Sequence, residues 1–272
     1  MLKKLFPSIL VTLIAIISLS CGEISFQAQP GYYPPFVKAA QQGNIPEAEK
    51  LLRSGQLVNQ TTIGSQTPLH LAAAEGQDAM VKWLLSHEAD PLAQDQNGKT
   101  PADFATSQGH AQTAQLILNY VQLLKKEEKA IASGDTETLR KLLLQDGREY
   151  TVLHVAAQVG ATQVVADEIK SGADVNAQTI NGFTPLHKAV SSGKIEICQL
   201  LLNAGANVNA GDIYNNTPLY YAILYKNKEL VKFLLDTGAD PSIRSIWGNE
   251  SSIDFAKRMG SNADIIALLE KK

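Results

Sequence analysis

The chain has 272 residues, of which 44% are hydrophobic and 19% are charged, a composition that excludes an intrinsically disordered polymer. Its 24 Lys and Arg residues against 27 Asp and Glu give a net charge of −3. This balance argues against a nucleic-acid partner, which requires a clustered positive surface. The two cysteines, Cys21 and Cys198, exclude a disulfide framework and a thiolate metal cluster. We expect neither a metal nor any other cofactor.

Residues 1–21 are typical of an export signal rather than of part of a fold. Within residues 1–21, Lys3 and Lys4 precede an uncharged run from Leu5 to Leu19. This run is too short to cross a hydrocarbon core of ~30 Å comfortably, and it has the length of a signal-peptide core. We therefore expect the protein to be exported.

The end of this segment resembles a bacterial lipoprotein signal, in which the cysteine is lipidated and becomes the first residue. Ser20 and Gly22 flank Cys21, as such signals allow, but Ser18 stands where they usually carry Leu. Ordinary cleavage near Ser20 and an uncleaved anchor are the alternatives, and we favour lipidation of Cys21. Residues 22–33 then form an extended tether, because Pro30 and the prolines that follow it oppose a helix.

A four-residue motif recurs along the remainder of the chain. Thr-Pro-Leu-His occupies residues 67–70 and 184–187, and Thr-Pro-Leu-Tyr occupies residues 217–220. Weaker copies begin at Thr100 and Thr151, and three of the intervals between successive copies are 33 residues. Such a period is typical of a stacked repeat protein.

The residues after each motif also recur, and together they resemble the ankyrin repeat over about residues 34–272. Ala189 follows Thr184 by five residues and Gly193 by nine, before the apolar run from Ile195 to Leu202. The resemblance implies an all-α solenoid of stacked helix pairs with short β-hairpin fingers. The Thr caps the first helix of each pair, and the Pro lies in its first turn.

The middle of the array departs from this period, since Thr100 and Thr151 are 51 residues apart. Gly134 fits the glycine position of a degenerate unit over residues 125–150. Because neither Gly nor Pro occurs between His110 and Ser133, we expect either one long helix or a tight helix–helix turn. We divide the array into an N-terminal block, 34–124, and a C-terminal block, 125–272, whose last residues, 251–272, form a cap.

The histidines and the acidic pair at 167–168 receive structural interpretations. His70, His154 and His187 occupy one position in separate repeats, where the ankyrin family uses His to bind the neighbouring finger. No nucleophile and base can be paired, so we expect no enzyme activity. Asp167 and Glu168 replace apolar residues of other copies, which indicates a helix that is shifted or partly exposed beside the irregular junction, with an acidic partner-binding spot as the less favoured alternative.

The fingers carry the candidate binding residues. Ile180, Ile213 and Ile246 are spaced by 33 residues at the fingertips, where side chains are normally solvent-facing. An apolar stripe with aromatic neighbours is typical of a partner site, although packing of finger against finger is the alternative, and we expect Tyr214 and Trp247 to be exposed. The candidate partner-binding residues are Ile180, Phe183, Ile213, Tyr214, Tyr225, Ile246 and Trp247.

We expect a monomeric, non-enzymatic protein-binding scaffold that captures an unidentified protein partner through its finger edge and concave face. The signal implies membrane attachment in a bacterial envelope, with the periplasm favoured and a soluble periplasmic or secreted form as the alternative. An inhibitor or immunity-type factor that blocks an envelope enzyme or toxin is a second candidate. A ligand-binding protein or enzyme is disfavoured, because the repeats fill almost the whole mature chain.

Overall fold

The computed structural model describes residues 33–54, 56–145, 147–246, 249–260 and 263–271. The predicted signal segment with Cys21, the tether as far as residue 32 and Trp247 lie outside the described residues. Fifteen helices are described, and they follow one another in pairs, with one long helix in the middle of the chain shared by two pairs. They are α1 Pro35–Gln41, α2 Ile45–Arg53, α3 Pro68–Ala74, α4 Asp78–Ser86, α5 Pro101–Ser107, α6 Ala111–Ser133, α7 Thr136–Leu143, α8 Val152–Val159, α9 Thr162–Lys170, α10 Pro185–Ser191, α11 Ile195–Asn203, α12 Pro218–Leu224, α13 Lys228–Asp236, α14 Ser252–Arg258 and α15 Ala263–Glu270.

The first helix of a typical pair begins at the repeated Thr-Pro motif. At α10 the Thr184 hydroxyl accepts the N–H of His187, and Pro185 occupies the first turn. Both features suit a helix start, where backbone donors lack partners and Pro loses no hydrogen bond. The motif therefore fixes where each of these short helices begins, as predicted.

The fingers are tight turns, and the described residues contain no β-strand. The N–H of Thr179 donates to the carbonyl of Phe183 at 3.0 Å, and Asp212 donates likewise to Asn216 at 3.1 Å. Each finger is thus closed by a hydrogen bond over a five-residue turn, which is too short for a regular two-stranded ladder. Asn215 lies in the left-handed region of one turn, with φ +60°, a conformation that Asn tolerates better than most residues.

The described residues divide into two compact units, with the boundary between Lys125 and Lys126. In the first unit, α3 packs against α1 on one side and against α5 on the other. In the second unit α8, α10, α12 and α14 follow one another as neighbours and share one continuous apolar core. Its fully buried side chains include Leu153, Leu186, Leu201 and Leu219.

Helix α6 accounts for the irregular middle of the array. It runs without a break over 23 residues, so the long-helix alternative is confirmed and the tight turn is not formed. Its C-terminal part occupies the place of a first helix in the degenerate unit, which α7 completes. Across the described ranges no helix is both long and apolar enough to span a membrane.

Candidate partner-binding surface

The motif histidines hold the fingers in place. The N–H of Thr184 donates to Nδ1 of His187 at 3.1 Å, so that nitrogen carries no proton. Nε2 then donates to the carbonyl of Asn216 in the next finger at 3.1 Å. His70 and His154 make the equivalent bonds to Lys99 and Phe183. The predicted structural role of these side chains is confirmed.

Burial shifts the titration of His187. The ring is enclosed, and loss of hydration lowers its pKa to about 4 because the charged form is disfavoured away from water. Burial lowers the pKa of His70 as well. A neutral His187 is also what the Thr184 contact requires, since protonation would place a second proton on the Nδ1 atom that accepts this bond.

Phe183 belongs to the core side of its finger. Its ring lies edge-on to His187 at 5.8 Å and to Tyr221 at 5.6 Å between centroids. Nζ of Lys188 stands 4.2 Å from the ring centroid on its face, which is a cation–π geometry. Phe183 is thus partly buried and packs against side chains of the following helices, and its part in partner binding stays a prediction.

Tyr214 lies deeper than predicted, beside the buried ring of Tyr221. The Tyr221 hydroxyl donates to the buried carboxylate of Asp212 at 2.6 Å. Tyr214 is only partly exposed, and burial together with the nearby Asp212 raises its pKa. Asp212 itself has a raised pKa because it is enclosed, although Tyr214 and Asn216 donate backbone hydrogen bonds to it.

The predicted finger row, which consists of Ile180, Ile213 and Ile246, is a stack with one exposed end. The N–H of Ile213 donates to the carbonyl of Asn181 at 3.1 Å, and the N–H of Ile246 donates to Tyr214 at 2.8 Å. Ile180 and Ile213 are half-buried, whereas 59% of Ile246 is exposed. Packing between fingers and exposure at the edge thus coexist in this row.

The residue that follows helix α12, Tyr225, is a second candidate and stands beside an unusual lysine. Tyr225 is half-buried against the core. The next residue, Lys226, is exposed and adopts φ +54°. Gly76 and Gly193 occupy this position in other repeats with similar φ values. A lysine in the left-handed region is strained, whereas a glycine is not. The comparison of motifs did not identify this replacement of the usual glycine by lysine.

A buried charged cluster occupies the degenerate unit, and sequence reasoning did not identify it. Glu127 accepts a hydrogen bond from Arg148 at 2.5 Å, and both side chains are at most 10% exposed. The Arg148 guanidinium stands 4.6 Å from the centroid of the Tyr150 ring, and Nζ of Lys188 lies 4.9 Å from the same centroid. The sequence does contain a signal for this cluster. Glu127 precedes Gly134 by the interval at which a core leucine precedes the equivalent glycine in other repeats.

Glu168 forms a separate ion pair. It is 5% exposed and accepts two hydrogen bonds from Arg140 on α7, at 2.6 and 2.7 Å. The predicted partial exposure of this position is therefore wrong for Glu168, because an arginine from the degenerate unit covers and neutralises it. An acidic partner-binding spot would need a carboxylate that is open to solvent, which Glu168 is not.

The described residues hold no group of three metal-ligating side chains. Cys198 is buried, and burial raises the pKa of its thiol to about 12. A thiol that is protonated and enclosed is a poor nucleophile.

Ile63 is an exposed fingertip residue that the sequence comparison overlooked. It precedes Thr67 by four residues, as Ile180 precedes Thr184 and Ile213 precedes Thr217. Its side chain is 75% exposed, more than that of Ile246. The register that identified the C-terminal isoleucines could have found it.

Comparison with known proteins places this architecture in a family. The family model for ankyrin repeats matches residues 36–127, 128–212 and 153–245. Among solved structures, the ankyrin repeat domain of Bcl-3 covers 89% of this chain and is itself covered completely, at 27% identity and a TM-score of 0.43. The human ASB11 ankyrin repeat domain is 23% identical, with a TM-score of 0.41, and the match covers 88% of this chain and 98% of that domain.

Curated relatives are similar over only part of their lengths. Human Rabankyrin-5 is 27% identical over 206 residues, a match that covers 52% of this chain and 18% of the relative. The mouse ARF GTPase-activating protein GIT2 is 38% identical over 78 residues, which cover 28% of this chain and 11% of the relative. The family model supplies the broader match, and ankyrin repeats are protein-interaction modules. The chain belongs to the ankyrin repeat family.

Proposed function

We propose that the chain is a non-enzymatic scaffold that binds a protein partner through the fingertips and concave face of its second unit. The observation that carries this proposal is the stacked row Ile180, Ile213 and Ile246, which ends in a largely exposed isoleucine. Backbone hydrogen bonds and capped helices hold the row in place, so little conformational entropy is lost when a partner binds.

Export to a bacterial envelope is part of the proposal and rests on the sequence of residues 1–21. Replacing Cys21 with Ala removes the lipidation site without touching the repeats. We expect the wild-type chain to partition with membranes and the Cys21→Ala chain to be released. Unchanged partitioning would contradict lipidation and would favour an uncleaved anchor.

The binding proposal is tested by affinity capture from envelope extract with residues 22–272 as bait, followed by binding of the purified partner. A second bait carries Ile213→Ser and Ile246→Ser. A third carries Leu144→Ser, which alters a side chain that is 88% exposed and lies off the finger row. We expect the partner to bind the first and third baits and to be lost from the second. Equal binding to all three, with circular dichroism showing folded baits, would contradict the proposed surface.

An inhibitor or immunity-type factor is the second candidate, and it would use the same surface. Its distinguishing result is toxicity or uncontrolled hydrolysis in cells that lack this protein. A captured partner that is an enzyme, and that loses activity on binding, would support this candidate over a passive scaffold.

A further inference from the structure

The first finger has one paired side and one open side. Its residues Leu57–Gln66 lie between α2 and α3. On the paired side, the carbonyl of Gly64 accepts the N–H of Gln96 from the next finger at 3.0 Å. The Asn59 side chain reinforces this side, donating to the carbonyl of Glu88 and accepting the N–H of Asp90.

The open side carries a backbone donor at a position that is used elsewhere in the array. In the second unit the tip N–H groups of Ile213 and Ile246 donate to the preceding finger at 3.1 and 2.8 Å, and that of Ile180 donates to Arg148 in the segment before α8 at 3.2 Å. The N–H of Ile63 occupies the same position, yet it donates to no atom of the residues that the structure describes. Successive fingertips are thus joined by backbone hydrogen bonds, and the tip of the first finger carries the one donor of this kind that has no acceptor among the described residues.

The side chains at this edge specify its chemistry. Ile63 is 75% exposed, and no charged residue occurs between Gln56 and Gln66. Charges and prolines are the usual protection of an open edge, and this finger has neither. In the same finger, the enclosed amide nitrogen of Gln60 also lacks a hydrogen-bond partner among the described residues.

We propose that the Ile63 edge binds an extended, uncharged segment of a partner protein by backbone pairing. A carbonyl of the segment accepts the Ile63 N–H, as the preceding fingertip does elsewhere, and an aliphatic side chain of the segment covers Ile63. Addition of a strand to an open edge is a known mode of peptide recognition. A charged segment fits poorly, because its charges would be desolvated against an apolar tip that offers no counter-charge. This inference rests on the proposed function and adds a second contact in the first unit.

The test uses the full-length ¹⁵N-labelled chain in a mild detergent and follows amide exchange by NMR. The probe is the capped peptide Ser-Val-Thr-Val-Thr-Val-Ser, and the control peptide replaces its threonines with aspartate. We expect the uncharged peptide at saturation to slow exchange of the Ile63 amide by about tenfold, and the aspartate peptide to leave it unchanged. Ile63→Lys should abolish peptide binding, whereas Ile246→Lys, a matched change at another exposed fingertip, should preserve it.

Three results would overturn the proposal. One is an Ile63 amide whose exchange is not slowed by the peptide. Another is an amide that is already protected in the free chain, which would mean that residues preceding Tyr33 occupy the edge. The third is loss of peptide binding in Ile246→Lys but not in Ile63→Lys, which would assign the peptide to the C-terminal row. Only the last of these involves the surface of the proposed function, so the two proposals can fail separately.

Discussion

At the scale of single residues, the third residue of the first helix is histidine in some repeats and aspartate or tyrosine in others. In three repeats a histidine joins its own helix cap to the next finger. Tyr220 replaces it in the next copy, where the Thr217 side chain makes no capping bond. The Tyr220 ring stacks on Phe255 at 3.9 Å between centroids. Aromatic packing at this position thus contributes to the contact between neighbouring repeats.

The buried motif histidines make the stability of the fold depend on pH. The pKa of His187 falls from its ordinary 6.5 to about 4 in the fold, so the unfolded chain takes up a proton first as the pH drops. Its stabilising contribution is complete above the unfolded pKa and is lost as the pH falls toward the folded one. We expect the free energy of unfolding to drop by about 2 kcal/mol between pH 7 and pH 5 through this group alone.

Urea unfolding at the two pH values measures this dependence. His187→Gln should be less stable at pH 7 but should show a shallower loss on acidification. The slope should not vanish, because burial also lowers the pKa of His70 and His87. An unchanged slope in the variant would contradict the assignment to His187.

Lys226 is expected to lower the stability of the fold. Its φ of +54° suits the glycine that equivalent positions carry. Lys226→Gly should raise the free energy of unfolding by about 0.5–1 kcal/mol, the relief of strain being partly offset by a more flexible unfolded chain. Lys226→Ala is the matched control and should give no gain, since alanine is equally strained. A destabilised glycine variant in thermal unfolding would show that the lysine side chain stabilises the fold.

At the scale of elements, α6 replaces the finger and turn that the regular period would place between two repeats. Its buried Glu127 stands at a core position, where an isolated carboxylate would be very costly. Arg148, from the segment after α7, reaches it at 2.5 Å, and Tyr150 packs under the guanidinium. A charged contact between α6 and the segment before α8 therefore takes the place of apolar packing.

Removing one member of this pair should be strongly destabilising. Glu127→Ala deprives the buried Arg148 of a carboxylate, and breaking a buried pair in this way costs about 3–5 kcal/mol. Glu128→Ala changes the exposed neighbouring residue and should shift stability by less than about 0.5 kcal/mol. Chemical denaturation of both variants makes the comparison. Similar small losses of stability in both variants would mean that the attraction between Glu127 and Arg148 only offsets the cost of desolvating the two charges.

Much of this architecture was predictable, because the Thr-Pro caps and glycine positions act locally and recur in the sequence. The unbroken run after His110 likewise indicated α6. The environments of Phe183 and Tyr214 were not predictable from their own repeats. Their burial is set by side chains such as Tyr221 and Asp212, which the stacking brings together. The same holds for Glu127 and Arg148, which are 21 residues apart and share no motif.

At the scale of the whole molecule, each unit is an array in which the main contacts of a described helix pair are with its neighbours in sequence. The core of the second unit nevertheless continues from Ala130 to Leu269. In such arrays stability is the sum of repeat terms and strong interface terms. A defect in one repeat should therefore weaken its neighbours in the same unit.

Leu186 tests this coupling because it is completely buried in the middle of the second unit. Leu186→Ala should lower the free energy of unfolding by about 2–5 kcal/mol through lost burial and the cavity left behind. Hydrogen exchange should accelerate in α10 and also in α8 and α12, which pack on either side of it. Leu144→Ala is the control in the same unit, since that side chain is 88% exposed and should change exchange very little. Acceleration confined to α10 would show that each repeat opens alone, and the rigid presentation of the finger row would then lose its physical basis.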